Sequence, residues 1–287
     1  MSDNKKIKMI LNGALGRMGG YVLDAVLDTN DIEIMHGVDL NVTDATNSYK
    51  GVNFVSNLNQ VLTEDIDVVV DFTNSEVTMD IVNQCRDNNV DLIIGSTGFT
   101  LPQINELKHI AINSNITVFL VPNFSIGANL LMKAVENISN YYDYVDVTEM
   151  HHENKVDSPS GTAMSIAESI TKGKVNGKFS QNIPERESVK NARGANYEGI
   201  NIHSRRMPGY VAHHEVVFGS LGETLTLRHD SIDRKSFMQG VIESIRSIQT
   251  LNGFVYGLDN ILWFLIYIKT LYYFRVDPGL KLWYSLL

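Results

Sequence analysis

Residues Lys6–Leu27 read KIKMILNGALGRMGGYVLDAVL, and no other stretch limits the folds open to this chain as much. Ile7 to Leu11 is a short apolar run that ends in glycine, the mark of a strand buried on both faces. Gly13, Gly16 and Gly19 follow at three-residue spacing, and Tyr21 to Leu27 then has helical spacing. The pattern recurs. DIEIMHGVDL, DIDVVVDFT, DLIIGSTGF and ITVFLVPNFS read as further strands. EVTMDIVNQCRDNNV and LPQINELKHIAINS read as helices, the second with Pro102 near its start. Strands and helices alternating over about 125 residues require a parallel sheet covered on both faces.

The pattern then changes. NLLMKAVENISNYY is helical and VDVTEMHH alternates as a strand. Thr171 to Asn196 is polar and reads as loop or mobile segment. GINIHSRRM, GYVAHHEVVFGS and ETLTLRHDS alternate between glycine turns, as in an open, mostly antiparallel sheet that is half exposed or used for association. RKSFMQGVIESIRSIQTL reads as one long helix with Phe237, Val241, Ile245 and Ile248 on one face. The expected fold class is α/β: a Rossmann-like, doubly wound parallel sheet, plus an α+β domain with an open mixed sheet. The expected boundaries are residues 1–125 with 235–264 for the dinucleotide domain and 126–234 for a substrate and assembly domain. Residues 265–287 form an atypical extension.

Composition excludes some functions. A net charge of -9 over 287 residues argues against nucleic acid, whose binders are basic, but leaves room for a small acidic substrate in a local cationic pocket. Cys85 is the single cysteine, so no internal disulfide forms and a reducing cytoplasm is the simple reading. The first residues do not resemble a signal peptide. The apolar run Ile261 to Phe274 spans 14 residues and contains Lys269. A membrane span needs roughly 20, so the run reads as a packed helix or a non-native extension, and no membrane partner is expected.

Between a strand and a helix, glycines let backbone N–H groups approach a dinucleotide pyrophosphate, and the helix N-terminus favours its charge. Gly13, Ala14, Leu15, Gly16, Arg17 and Met18 are the candidate residues. The spacing is GxxGxxG rather than GxGxxG, and a plain packing turn is the competing reading. Asp39 lies 20 residues after Gly19 at a strand end, where an acid accepts from ribose hydroxyls. Asp39 favours NADH and Arg17 tolerates NADPH, so both are expected cofactors. The loops Asp71–Ser75, Gly95–Phe99 and Val121–Ser125 follow further strands and should line the same crevice. Gly95, Ser96, Thr97, Val121, Pro122, Asn123 and Phe124 are the cofactor candidates there.

EMHHENKVDSPSGTAMSIAESI, Glu149–Ile170, is the second site. A strand ending in His151–His152 turns the two rings to opposite faces. Lys155 supplies a counter-charge and a proton donor, and histidine exchanges protons near neutral pH. Ser158 reads as an N-cap and Pro159 as the first helical residue. Ser160, Gly161 and Thr162 then offer N–H groups and hydroxyls to a carboxylate. The competing reading is zinc, from His151, His152, Asp157, His203, His213 and His214. No HExxH spacing is present and the cysteine is remote, so no metal is expected. His213 and His214 read as surface histidines at a strand end.

GALGRMG, DFT, GSTGF, VPNFSIGANLL and above all EMHHENKVDSPSGTA resemble the dihydrodipicolinate reductase family, also called 4-hydroxy-tetrahydrodipicolinate reductase. The resemblance runs from about residue 5 to 263, and SRRMPGYVAHHEVVFG, GETLTLRHDS and FMQGVI agree with it. It implies an NAD(P)H-dependent oxidoreductase that reduces a cyclic dicarboxylate, with loss of water, in the diaminopimelate route to lysine. It implies that His151 gives or takes a proton, that Lys155 donates one, and that His152, Gly161 and Thr162 hold the substrate. A homotetramer built through the open sheets is also implied. The extension after Leu262 has no counterpart in the family pattern. Two rivals remain. Another two-domain nicotinamide enzyme, such as aspartate-semialdehyde dehydrogenase, needs a thiolate, and Cys85 sits in a helical pattern with no histidine nearby. A non-catalytic NAD(P) sensor would have no use for His151, Lys155 and Thr162.

Overall fold

The computed structural model describes residues 5–181 and 186–262; the apolar run beyond Leu262 and the extension at 265–287 lie outside the described residues. In chain order the elements are β1 Ile7–Asn12, α1 Arg17–Leu27, β2 Ile32–Val38, β3 Ser48–Tyr49, β4 Val52–Val55, β5 Val68–Asp71, α2 Ser75–Asp87, β6 Asp91–Ile94, α3 Leu101–Ile112 and β7 Val118–Leu120. Then come α4 Ile126–Ile138, β8 Tyr144–His151, α5 Gly161–Gly173, β9 Ala195–Tyr197, β10 Ile200–Arg206, β11 Ala212–Ser220 and β12 Glu223–Ser231. After them come α6 Met238–Ser247 and β13 Phe254–Tyr256. It divides into two compact units, Met1–Pro122 with Gly240–Leu287, and Asn123–Gln239.

The first unit holds a sheet in the order β13-β7-β6-β5-β1-β2-β4-β3. Every pairing is parallel except β3 with β4. Met9–Leu11, Val68–Val70 and Leu92–Ile94 have no exposed surface, as strands covered on both faces require. Helix starts follow their side chains. Asn74 accepts from the N–H groups of Glu76 and Val77 ahead of α2, and Thr100 with Gln103 forms a capping box ahead of α3. β2 and β5 flank β1 on opposite sides, so a crevice opens at the carboxyl ends of β1 and β5.

The second unit holds a sheet in the order β12-β11-β8-β10-β9, parallel only between β8 and β10. Leu131 and Val135 of α4 and Ile166, Ala167 and Ile170 of α5 cover one face, against Val145, Val147, Ile200, Ile202, Val216 and Phe218. On the other face a depression of about 800 Å³ is lined by residues that include Tyr144, Asp146, Asn201, His203 and Val217.

The long helix expected over 234–251 is broken into a 3-10 turn at Arg234–Phe237, α6, and a second 3-10 turn at Ile248–Thr250. Asp233 takes the Lys235 N–H at 2.8 Å and the Ser236 hydroxyl bonds the Asp233 carbonyl at 2.7 Å. Those local bonds compete with a continuous helix. The loop expected over 171–196 is shorter: α5 runs to Gly173 and β9 starts at Ala195. The edge strands β3 and β13, and β4 beside β3, are too short to show a period.

Candidate active site

In the first unit the chain leaves β1 at Asn12 and turns at Gly13, whose φ of +82° is a glycine conformation. A Cβ at Gly13 would lie 2.9 Å from the Phe72 carbonyl oxygen, and one at Gly19 would lie 2.5 Å from that of Ala14. Only glycine lets α1 pack so close to its own loop. Gly16 is the N-cap of α1 with no side-chain hydrogen bond, and the first turn carries no acid. Those N–H groups and the helix dipole are open to an anion. Ala14 is buried, Met18 half-buried, and Leu15, Gly16 and Arg17 exposed. Beside them lies a cleft of about 480 Å³ lined by residues that include Leu15, Arg17, Tyr21, Thr46 and Phe54. This arrangement fits a dinucleotide.

Asp39 follows β2. Its Oδ2 accepts from the Leu15 N–H at 3.1 Å, and its Oδ1 from the Asn41 N–H at 3.0 Å and the Asn41 amide at 3.1 Å. It therefore braces the glycine loop and caps its own turn, with lone pairs left for ribose hydroxyls. Asp71 is fully buried and accepts from Asn12 at 2.8 Å, Thr73 at 2.8 Å, Thr78, and Ser96 at 3.0 Å. One carboxylate thus ties together the ends of β1, β5 and β6. It also turns the Ser96 hydroxyl inward, which leaves only backbone groups of Ser96 for a cofactor. Gly95 is half-buried, Thr97 and Pro122 are exposed, and Val121 and Phe124 are buried. Asn123 belongs to the second unit, where its amide donates to the Thr162 hydroxyl at 3.4 Å, so it stands with the substrate candidates.

The second unit gathers its chemistry where β10, β8 and β11 run side by side. The register sets Arg206 beside His151 and His214 beside Glu149. Glu149 and His151, two apart, share one face of β8. Glu149 is fully buried. It accepts from His151 Nδ1 at 2.5 Å, from the two Arg206 Nη atoms at 2.8 and 2.7 Å, and from the Ser160 N–H at 3.2 Å. Burial favours its neutral form, yet hydrogen bonds from His151, Arg206 and Ser204 outweigh burial and hold the carboxyl down at about 2. With Nδ1 held by Glu149, Nε2 is the His151 atom left for proton exchange.

His213 and His214 are not surface histidines: both are buried. The His214 ring packs edge-on against His151, centroids 5.4 Å apart, with its Nε2 3.4 Å from the Ser160 hydroxyl. Burial, then the neighbouring His151, lowers His214 to about 3, so it is neutral at neutral pH. His213 Nδ1 meets Asp230 at 2.6 Å. Among the described residues no group of three His, Cys, Asp or Glu is placed to hold a metal ion.

The start of α5 differs from its sequence reading. The N-cap is Ser160, not Ser158, and Pro159 lies before the helix with a cis Ser158–Pro159 bond. The Ser160 hydroxyl accepts from the Ala163 N–H at 3.1 Å. Of the three N–H groups expected to await an anion, Ser160's goes to Glu149 and Gly161's to Asp157 at 3.3 Å. Lys155 is engaged as well, its Nζ 2.6 Å from Asp157 Oδ1. That bond, more than any other influence, holds the Asp157 carboxyl below its usual range. His152 is half-buried just past β8, and its carbonyl accepts from the Lys155 N–H at 3.2 Å.

Residues 7–124 match the N-terminal part of dihydrodipicolinate reductase and residues 127–262 the C-terminal part. The chain belongs to the dihydrodipicolinate reductase family. It is 41% identical over 257 residues to the 4-hydroxy-tetrahydrodipicolinate reductase of Streptococcus uberis, covering 89% of this chain and 99% of that one. The enzyme of the same name from Listeria monocytogenes is 41% identical over 263 residues, covering 89% and 100%. The dipicolinate-bound dihydrodipicolinate reductase from Paenisporosarcina sp. TG-14 superposes with a TM-score of 0.80 at 36% identity, covering 89% and 99%. In this dihydrodipicolinate reductase family member, sequence reading missed the part played by Arg206 and His214. Both lay within SRRMPGYVAHHEVVFG, and His214 among the zinc candidates, but nothing in the sequence joined either to Glu149 or Ser160.

Proposed function

We propose that this chain is the NAD(P)H-dependent enzyme that reduces 4-hydroxy-tetrahydrodipicolinate to tetrahydrodipicolinate, with loss of water, in the diaminopimelate route of lysine biosynthesis. The observation that carries this reading is the cluster of Glu149, His151, Arg206 and Lys155 around the start of α5, in a chain 36% identical to a dipicolinate-bound relative. Hydride and a proton enter the ring and water leaves. Bound at the glycine loop, NADH or NADPH supplies the hydride, and the chain's residues do the rest. The loop Gly13–Gly16, whose own N–H groups bond Val38, Asp39 and Gly13, brings the first-turn N–H groups of Arg17 and Met18 to the pyrophosphate, and Asp39 meets the ribose. Gly95–Thr97, Val121 and Pro122 line the crevice of the first unit.

Negative charge develops on the ring, and the proton comes from Lys155 Nζ or from His151 Nε2. Glu149 fixes the orientation of the His151 ring through Nδ1. His152, Ser160, Gly161 and Thr162 grip the two carboxylates. One well-placed donor to a developing anion is worth about 2.7–4 kcal/mol. The deciding experiment follows the nicotinamide absorbance with freshly condensed pyruvate and aspartate semialdehyde, using NADH and NADPH in turn. Loss of absorbance with both cofactors supports the reading. Binding of NADH without turnover points to a nucleotide sensor instead.

The chain works as a cytoplasmic homotetramer in this reading, associating through the sheet face that α4 and α5 leave uncovered. The depression beside Tyr144, Asn201 and Val217 and the one buried cysteine support it. Light scattering that gives a monomer mass would remove the tetramer. Among the described residues no helix is long and apolar enough to cross a membrane.

A further inference from the structure

This inference rests on the reductase reading and concerns what guards the substrate's place. Asp157 lies in the loop before α5, with its side chain 48% exposed. Its Oδ1 accepts from Lys155 Nζ at 2.6 Å and its Oδ2 from the Gly161 N–H at 3.3 Å. Lys155 and Gly161 are two groups that the reductase reading gives to the substrate. One carboxylate of the chain therefore already spans an ammonium and a helix N–H, the pair of donors a bound carboxylate would take. The backbone beneath it is fixed separately, because Arg206 Nη2 donates to the Asp157 carbonyl at 2.7 Å while the same guanidinium grips buried Glu149. The side chain can swing away about χ1 while the backbone stays.

We propose that Asp157 is a resident stand-in for the substrate: its carboxylate fills the anion position of the empty site and is displaced by one carboxylate of the incoming dicarboxylate. This makes Asp157 an affinity-setting residue: every ligand that takes the position must first displace the same carboxylate, so all are weakened by the same factor. A dicarboxylate replaces like with like, and its second carboxylate adds contacts that Asp157 cannot make. The exchange also keeps Lys155 paired with an anion at every stage.

The test is calorimetric binding of pyridine-2,6-dicarboxylate and of its monoamide to the full chain. Wild type is compared with Asp157→Asn, Asp157→Ser and Glu153→Gln. Glu153 is an exposed carboxylate of the same loop between β8 and α5 and controls for simple loss of negative charge. Both Asp157 variants are expected to bind the diacid about two- to fivefold more tightly, the factor that an exposed ion pair is worth. The monoamide should gain by about the same factor as the diacid, because both must displace the same carboxylate. Glu153→Gln should leave both affinities near wild type. Unchanged or weaker binding by the Asp157 variants overturns the proposal, and so does an equal gain in Glu153→Gln. A wild-type chain that ignores the diacid altogether would overturn the reductase reading, and this inference with it.

Discussion

Helices α1 and α5 both begin at anion sites of the proposed function, and the two starts are built in opposite ways. α1 starts at Gly16 with no side-chain cap and no acid in its first turn. α5 starts at Ser160 with its hydroxyl on the Ala163 N–H, Glu149 on its own N–H and Asp157 on the next. The first is an open backbone cradle, made by removing side chains. The second is a filled pocket, made by adding them. A pyrophosphate group is large and doubly charged, and needs close approach along several N–H groups. A ring carboxylate is small, so a site for it must discriminate as well as attract, and side chains do that. The proposed function therefore draws on glycines in one unit and on a wired cluster of ionisable groups in the other.

The largest effect should come from the wired site. Lys155→Ala removes a proton donor, and kcat should fall roughly 10²- to 10⁴-fold. NADH affinity should hold, because the cradle at α1 lacks no part of its machinery. Steady-state kinetics with a fluorescence titration of NADH separates the two. Equal turnover in the variant would take Lys155 out of the mechanism.

Next comes the buried pair. Arg206→Met leaves Glu149 charged, fully buried and short of its bidentate partner. Breaking such a pair costs about 3–5 kcal/mol, while replacing both members with apolar residues costs far less. Urea unfolding of Arg206→Met beside Glu149→Leu/Arg206→Met reads this directly. A loss below about 1 kcal/mol in the single variant would mean that water screens the pair as it screens surface pairs.

Legibility followed the same division. The glycine loop was readable because a backbone demand, φ of +82° at Gly13 and contact with Ala14 at Gly19, leaves its mark at single positions. The parallel sheet was readable because its central strands carry unbroken apolar runs, Met9–Leu11, Val68–Val70 and Leu92–Ile94. His151 and Lys155 were readable because they lie within one short segment. The wiring was not. Arg206 lies 57 residues from Glu149, and only the β8–β10 register joins them. His214 reaches Ser160 across a separation of 54 residues. Ser158 and Ser160 are equally good caps by type, and tertiary contacts of the Ser160 N–H with Glu149 and its hydroxyl with His214 accompany the choice. Short edge strands such as β3 and β13 form by pairing with neighbours, so their own residues carry little signal.

The cradle can be broken by a single methyl group. Gly19→Ala sets a Cβ 2.5 Å from the Ala14 carbonyl oxygen, backbone that cannot turn aside. α1 must then shift off the loop, at about 1–3 kcal/mol of stability. NADH affinity should drop by about tenfold if that strain falls on the bound state. Dicarboxylate binding measured without NADH should not change, since every group assigned to it lies in the other unit. Wild-type NADH affinity in Gly19→Ala would show that the loop is a packing turn.

The smallest effect tests whether acid acts on the wired unit first. His214 in the folded chain titrates at about 3, below its ordinary 6.5. The unfolded chain therefore takes the proton first as pH falls, so stability from this residue is present above 6.5 and declines between 6.5 and about 3. Glu149 works in a lower window: its folded value of about 2 lies below the ordinary 4.5, so its stabilisation is full above 4.5 and is lost as pH falls through about 2. Between pH 6.5 and 5 the two separate, and His214 acts there with His229, which burial also lowers. The slope due to one such histidine is at most about 1.4 kcal/mol per pH unit. His214→Gln should flatten the decline in urea midpoint between pH 6.5 and 5, leaving the remainder from His229. An unaltered slope would mean that His214 is protonated in the folded chain, with its charge shared by Glu149, and the neutral ring packed on His151 would have to be abandoned.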